Sequence, residues 1–109
     1  MPGRDDEVLQ TFEVRDFTFY DGNEHRLGPS TVSLTRRAVI IDDVRGGVSQ
    51  ILLRDIQGVR PPSRMGAAKL LRVTAPGVAY DFWCKSKAQR ELLEDWLVEG
   101  VRYAASGGR

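Results

Sequence analysis

The hydrophobic period of the chain changes once, at Lys85. Before it, apolar and polar side chains alternate in short segments separated by glycine, proline and aspartate, which is typical of β-strands. After it, apolar side chains recur with helical spacing at Leu92, Leu93, Trp96, Leu97 and Val101. The pattern predicts a mostly β fold, in which seven strands precede one helix over about residues 87 to 104. We expect Leu93, Trp96 and Leu97 to cover one end of the sheet.

The first predicted strand contains a break in its alternation. Phe12 and Val14 fall on one face of an extended segment, whereas Phe17 and Phe19 fall in the opposite phase. The break predicts a β-bulge or sharp bend at Arg15-Asp16, because one extra residue reverses the face of every later side chain. A strand bent in this way can turn a barrel corner.

The last predicted hairpin has a register that the charges favour. A two-residue turn at Pro76-Gly77 places Arg72 opposite Asp81, and a slip by one residue would bury both charges. The same register places Val73 opposite Tyr80 and Leu71 opposite Phe82 on the core face, and Leu70 opposite Trp83 on the outer face. Leu70, Arg72 and Trp83 then form a candidate protein-binding surface, since exposed aromatic side chains and arginine are enriched at interface hot spots. In the competing interpretation, the helix or the N-terminal segment covers Trp83.

Charge is distributed unevenly, although the formal net charge is only +1. The first 24 residues carry two basic and seven acidic side chains, whereas residues 25 to 72 carry nine basic and three acidic ones. Arg60, Arg64, Lys69 and Arg72 follow one another without an intervening carboxylate. An anionic partner is therefore expected near these residues. The alternative is a solvated basic loop that neutralises the acidic N-terminal segment.

Catalytic and cofactor-binding patterns are missing from the sequence. With one cysteine, Cys84, and one histidine, His25, the chain alone forms neither an internal disulfide nor a zinc site of cysteine and histidine ligands. We interpret His25 as a surface-loop residue and Cys84 as a small buried hydrophobe. We therefore expect a non-enzymatic protein without metal or cofactor, in a reducing and cytoplasmic setting.

Two segments carry a more specific pattern. In the first, Gly28 precedes a strand that ends in Leu34-Thr35, and the basic turn Arg36-Arg37 leads to an apolar strand at 38–41. The second, residues 51–56, reads Ile-x-Leu-x-Asp-Ile. Together with the order of the elements, these segments resemble the GRAM, GLUE and TFIIH-subunit branch of the pleckstrin-homology-like superfold. The similarity spans about residues 10 to 104, and Ala38 stands where members often have arginine or lysine.

The resemblance implies a seven-stranded antiparallel barrel or sandwich, capped by the helix, at residues 11–104. Residues 1–10 and 105–109 are expected to be flexible. The implied function is that of a non-catalytic adaptor that binds a protein partner. The alternative is a peripheral membrane domain that binds anionic phospholipid.

Lipid recognition in domains of this type usually draws on the first strand and first loop, where Asp16, Asp21 and Glu24 oppose the basic residues of this chain. A second site known in the superfamily lies between the first loop and the loop joining strands five and six. The residues that it would use here are Arg26, Arg60, Arg64, Met65 and Lys69. Nucleic acid is disfavoured as a partner, because the aromatic residues needed for base stacking fall on core-facing positions or on the acidic first strand. The sequence leaves the oligomeric state open.

Overall fold

One long, bent strand joins the two halves of a single antiparallel sheet. The computed structural model describes residues 7–62 and 66–107. The elements are β1 (Gln10–Tyr20), β2 (Glu24–Leu34), β3 (Ala38–Asp43), β4 (Val48–Leu52), a single 3-10 turn (Leu53–Asp55), β5 (Gly58–Arg60), β6 (Leu70–Ala75), β7 (Val78–Trp83) and α1 (Lys87–Ala105). The strand order is β4-β3-β2-β1-β7-β6-β5, so β4 and β5 form the edges of a partly open barrel. The predicted fold class is confirmed.

The bend of β1 lies where the sequence predicts it. The pairing of β1 with β2 shifts register between Val14 and Phe17 and again between Phe17 and Thr18. Beyond this bulge β1 also pairs with β7, which sets Phe17 opposite Phe82. Both rings are fully buried and their centroids lie 5.0 Å apart. The bulge therefore lets β1 contribute to the core on both sides of the bend.

Strand β2 begins earlier than the sequence suggests. The pair Gly28-Pro29 predicts the end of a loop, yet β2 already pairs with β1 from Glu24 onward. Gly28 absorbs the irregularity of the bulge with a φ of 78° opposite Phe17, a conformation that favours glycine. The interpretation of His25 as a loop residue is wrong, because its ring lies on β2 and stacks on Phe19 at 4.5 Å.

The start of α1 is fixed by side-chain hydrogen bonds. Ser86 is the N-cap, and its Oγ accepts from the backbone N–H of Gln89 at 3.0 Å. Gln89 Nε2 in turn donates to the carbonyl oxygen of Glu13 at 3.0 Å, which joins the first turn of the helix to β1. The predicted helix is thereby confirmed, with its end one residue later than expected.

Helix α1 contacts the sheet through a narrower face than the sequence predicts. Leu93 and Leu97 are fully buried, and a Cβ added at Gly100 would lie 3.0 Å from Leu53 Cδ1, so this face approaches the 3-10 turn closely. Leu92 is 54% exposed and Trp96 36% exposed. The prediction that Trp96 covers the core is therefore wrong. The physical reason is that the face containing Leu93, Leu97 and Gly100 packs against the core, which leaves the neighbouring face open.

Two adjacent leucines of α1 test this packing. We expect Leu93→Ala to lower the free energy of unfolding by about 2 to 5 kcal/mol, because it leaves a cavity in the core. Leu92→Ala is the matched control and is expected to change it by no more than about 0.5 kcal/mol. Urea unfolding of both variants measures the difference, and equal losses would show that the assigned helix face is wrong.

Candidate interaction sites

Trp83 lies in a hollow with three basic side chains. The hollow has a volume of about 600 Å³, and its charged and aromatic lining residues are Arg15, Asp16, Arg26, Lys69 and Trp83. The sheet register explains the arrangement, since Trp83 on β7 pairs with Asp16 at the bend of β1. We call this feature the basic hollow. It combines a half-buried indole with an excess of positive charge, which suits an anionic ligand.

The charges of the basic hollow are partly compensated. Asp16 is a carboxylate within the lining, and Arg26 Nε lies 3.2 Å from Glu24 Oε2. Because the side chains of Arg26 and Glu24 are both mostly exposed, this ion pair is worth no more than about 1 kcal/mol. A ligand that offers a better anion can therefore replace Glu24.

The structure brings together only some of the residues predicted to bind an anion. Arg26 and Lys69 both line the basic hollow. Arg60 lies on β5 opposite Arg72 and is not part of the described lining. Arg64 and Met65 lie outside the described residues. Of the five residues predicted to bind an anion, the structure therefore places two, Arg26 and Lys69, in the basic hollow. Arg15 and Trp83 line the same hollow.

The predicted protein-binding surface of Leu70, Arg72 and Trp83 differs from the structure. Leu70 pairs with Trp83 as the register predicts, but it is 0% exposed, so the prediction that it lies on an accessible outer face is wrong. The physical reason is that tertiary packing, and not the alternation along the strand, sets this exposure. Close to this end of β6, Arg90 Nε of α1 donates to the carbonyl oxygen of Ala68 at 3.1 Å. Of the predicted trio, Trp83 alone lies in a hollow.

Arg72 has a structural role, because it pairs with Asp81 across β6 and β7. Its Nε and Nη2 donate to Asp81 Oδ1 and Oδ2 at 2.7 and 2.8 Å, in the register that the sequence predicts. The hydrogen bond that Arg72 donates to Asp81 raises the pKa of Arg72, against the opposing effect of desolvation. Since the Asp81 side chain is only 4% exposed, the guanidinium satisfies a carboxylate that water barely reaches. This pair holds β6 and β7 in register.

The cysteine and the histidine of the chain lie in different environments. Burial raises the pKa of the Cys84 thiol to about 11, against a smaller lowering by Arg90, so the thiol is neutral at physiological pH. Cys84 is fully buried, as predicted. His25 Nε2 lies 2.9 Å from Asp21 Oδ1. Within residues 7–62 and 66–107, no three histidine, cysteine, aspartate or glutamate side chains are grouped to hold a metal ion. No helix of this part of the chain is long and apolar enough to cross a membrane.

A second candidate interaction surface, on α1, was not predicted from the sequence. Leu92 and Trp96 lie one turn apart on α1, and both are exposed. We call these two residues the helix apolar strip. Trp96 also lines a groove of about 340 Å³ together with Leu9, which is 38% exposed. The sequence did contain a signal for this surface, namely the width of the apolar stripe. Its five residues from 92 to 101 cover more of the helix circumference than one packing face requires.

No family model and no curated protein sequence matches the chain. Solved structures do match. An activated truncation of Vav1 has a TM-score of 0.69 at 14% identity, over 87% of this chain and 26% of that one. ISP3, an inner membrane complex protein from Toxoplasma gondii, has a TM-score of 0.66 at 16% identity, over 89% and 78%. The Ran-binding domain of the nuclear pore component NUP2 from Ashbya gossypii has a TM-score of 0.64 at 13% identity, over 88% and 97%.

These matches define the fold of the chain as pleckstrin-homology-like. The chain spans about a quarter of the length of the Vav1 structures. At such low sequence identity, the likeness concerns the fold alone.

The Arg72–Asp81 pair allows a test of its structural role. We expect Arg72→Leu to lower the free energy of unfolding by about 1.5 to 3 kcal/mol, because Asp81 would lose its charged partner in a buried position. In the double variant Arg72→Leu/Asp81→Leu, most of this loss is expected to be recovered. Denaturant unfolding monitored by circular dichroism measures both, and an Arg72→Leu protein as stable as the wild type contradicts the assigned role.

Proposed function

We propose that this chain is a non-catalytic interaction module that binds a protein partner through the helix apolar strip. Domains of the pleckstrin-homology-like fold commonly mediate protein or lipid interactions. The resemblance of the sequence to the GRAM, GLUE and TFIIH-subunit branch supports the same class of function. The observation that carries the proposal is the exposure of Leu92 and Trp96 beside the groove.

Exposed apolar residues indicate an interaction surface when they cluster. A single exposed leucine is ordinary, whereas a contiguous apolar patch marks an interaction surface. Leu92 and Trp96 are neighbours at i and i+4 of one helix, and Leu9 shares the groove with Trp96. Tryptophan is also the side chain most enriched at interface hot spots. Because Trp96 is partly buried in the groove, ordering its ring on binding costs less entropy than ordering a freely rotating side chain.

The state of the reactive groups supports a non-catalytic role. The neutral, buried Cys84 lacks the thiolate needed for nucleophilic attack. The ring of His25 stacks on Phe19, and its Nε2 lies within hydrogen-bond distance of Asp21 Oδ1.

Photo-crosslinking tests the proposal at the strip itself. A photoreactive leucine analogue in place of Leu92 is expected to crosslink a specific protein in an extract of the source cells. Trp96→Ala in the same chain is expected to reduce the yield more than about tenfold, since it removes the anchor. The same analogue at Val48, an exposed apolar residue on the edge strand β4, is the matched control. Equal yields at the two positions, or a yield that Trp96→Ala leaves unchanged, contradict the proposal.

An anionic membrane surface is the second candidate partner, and the basic hollow is the observation that favours it. Arg15, Arg26 and Lys69 surround Trp83 there. Each basic residue near an anionic lipid surface contributes about 1 kcal/mol, and the amphipathic ring of tryptophan suits the membrane interface. The proximity of Asp16 lowers the net attraction.

Vesicle sedimentation separates the two candidates. If the hollow binds lipid, vesicles of phosphatidylcholine and phosphatidylserine in a 3:1 ratio should retain the wild-type chain at low salt. Arg26→Glu/Lys69→Glu should then weaken binding more than about tenfold. The control, Arg45→Glu/Lys87→Glu, reverses two exposed charges outside the described lining and should bind as the wild type does. Absence of wild-type sedimentation, or equal loss in both variants, excludes the hollow as a lipid site.

A further inference from the structure

The groove beside Trp96 continues into a recess lined by arginines. The recess has a volume of about 280 Å³, and Arg36, Arg37 and Arg54 contribute its basic lining. Arg36 and Tyr103 line both the recess and the groove, so the two form one continuous depression. One end of this depression is apolar and the other is basic.

Two arginines of the recess, Arg36 and Arg54, are available for a ligand. Arg36 and Arg54 are exposed, and within residues 7–62 and 66–107 neither has a carboxylate at ion-pair distance. The guanidinium of Arg36 lies 5.9 Å from the centroid of the Tyr103 ring, which helps to orient it. Glu99 supplies a carboxylate to the described lining of the groove, and Arg102 Nη1 donates to its Oε1 at 3.2 Å.

We infer that this depression binds an acidic amphipathic segment of a partner protein. A large apolar side chain of the segment lies between Leu9 and Trp96, and its aspartate or glutamate side chains reach the arginine recess. The inference rests on the proposed function and adds the chemistry of the partner to it. Charge complementarity carries the argument, because three arginines converge on one recess directly beside an apolar wall.

The geometry of guanidinium groups favours carboxylates as the partner groups. Arginine offers parallel N–H donors that match the two oxygens of a carboxylate, and such charge-assisted hydrogen bonds are stronger than neutral ones. A protein segment can also carry apolar and acidic side chains side by side, as the two ends of the depression require.

Selection from a displayed library of random peptides tests the inference without knowledge of the natural partner. The bait is the full wild-type chain. Selected peptides are synthesised with a fluorescent label, and their dissociation constants are measured by anisotropy. The variants compared are Trp96→Ala, the double variant Arg36→Glu/Arg54→Glu and the control Arg45→Glu/Lys87→Glu, whose changed residues line neither half of the depression. Circular dichroism establishes that each variant is folded.

We expect the selected peptides to combine large apolar residues with aspartate or glutamate. Trp96→Ala and Arg36→Glu/Arg54→Glu are each expected to weaken binding about tenfold or more, and the control less than about twofold. Binding should also weaken as salt concentration rises.

Each of the following results overturns the inference. Peptides that require Trp96 but lack acidic residues, or bind Arg36→Glu/Arg54→Glu as well as they bind the wild type, refute an acidic partner and leave the proposed function standing. Failure to select any peptide that requires Trp96 counts against both. A wild-type dimer in sedimentation velocity that Trp96→Ala dissociates, or vesicle binding that requires Trp96, assigns the depression to a second copy or to a membrane instead.

Discussion

The bend of β1 is the constraint on which the rest of the sheet depends. A straight strand of this length would keep Phe12 and Phe17 on opposite faces, and one of the two rings would then face water. The bulge between Val14 and Phe17 returns both rings to the core. It also turns the second half of β1 toward β7, and pairing there sets Asp16 opposite Trp83. The basic hollow is thus a consequence of the same bulge, because Arg15 and Asp16 form the bulge and also line the hollow.

The orientation of α1 follows from contacts at three points along its length. Gln89 is bonded to β1 through the carbonyl of Glu13, and Arg90 to the carbonyl of Ala68. Farther along, Gly100 allows the helix to approach Leu53 more closely than a larger residue would. These contacts fix the rotation of the helix about its axis, and this rotation sets the exposure of Trp96. Burying Trp96 instead would expose part of the face that contains Leu93 and Leu97.

The sequence predicts the pairing register of neighbouring strands better than it predicts which strand residues are covered by other elements. The register of β6 and β7 follows from Arg72 and Asp81, since a slip would bury two charges. Alternation also identifies the side of the sheet on which Leu70 lies. It contains no information about which other parts of the chain cover that side, and for this reason the prediction that Leu70 is exposed is wrong. The groove depends equally on tertiary contacts, because Leu9, Arg36 and Trp96 come from distant parts of the chain.

The two basic sites differ in how much of their charge is compensated, and this difference decides what each attracts. In the basic hollow, Asp16 and the Glu24 partner of Arg26 weaken the field of the cations. In the arginine recess, the described residues supply no carboxylate partner to Arg36 or Arg54. At physiological salt, exposed charges more than about 8 Å apart are largely screened, so a ligand responds to the local set of charges. The net charge of +1 is therefore a poor guide to anion binding by this chain. Arg36 and Arg54 are therefore less compensated than Arg26. The apolar wall beside them adds a desolvated contact, which makes a complex held by electrostatic attraction more specific.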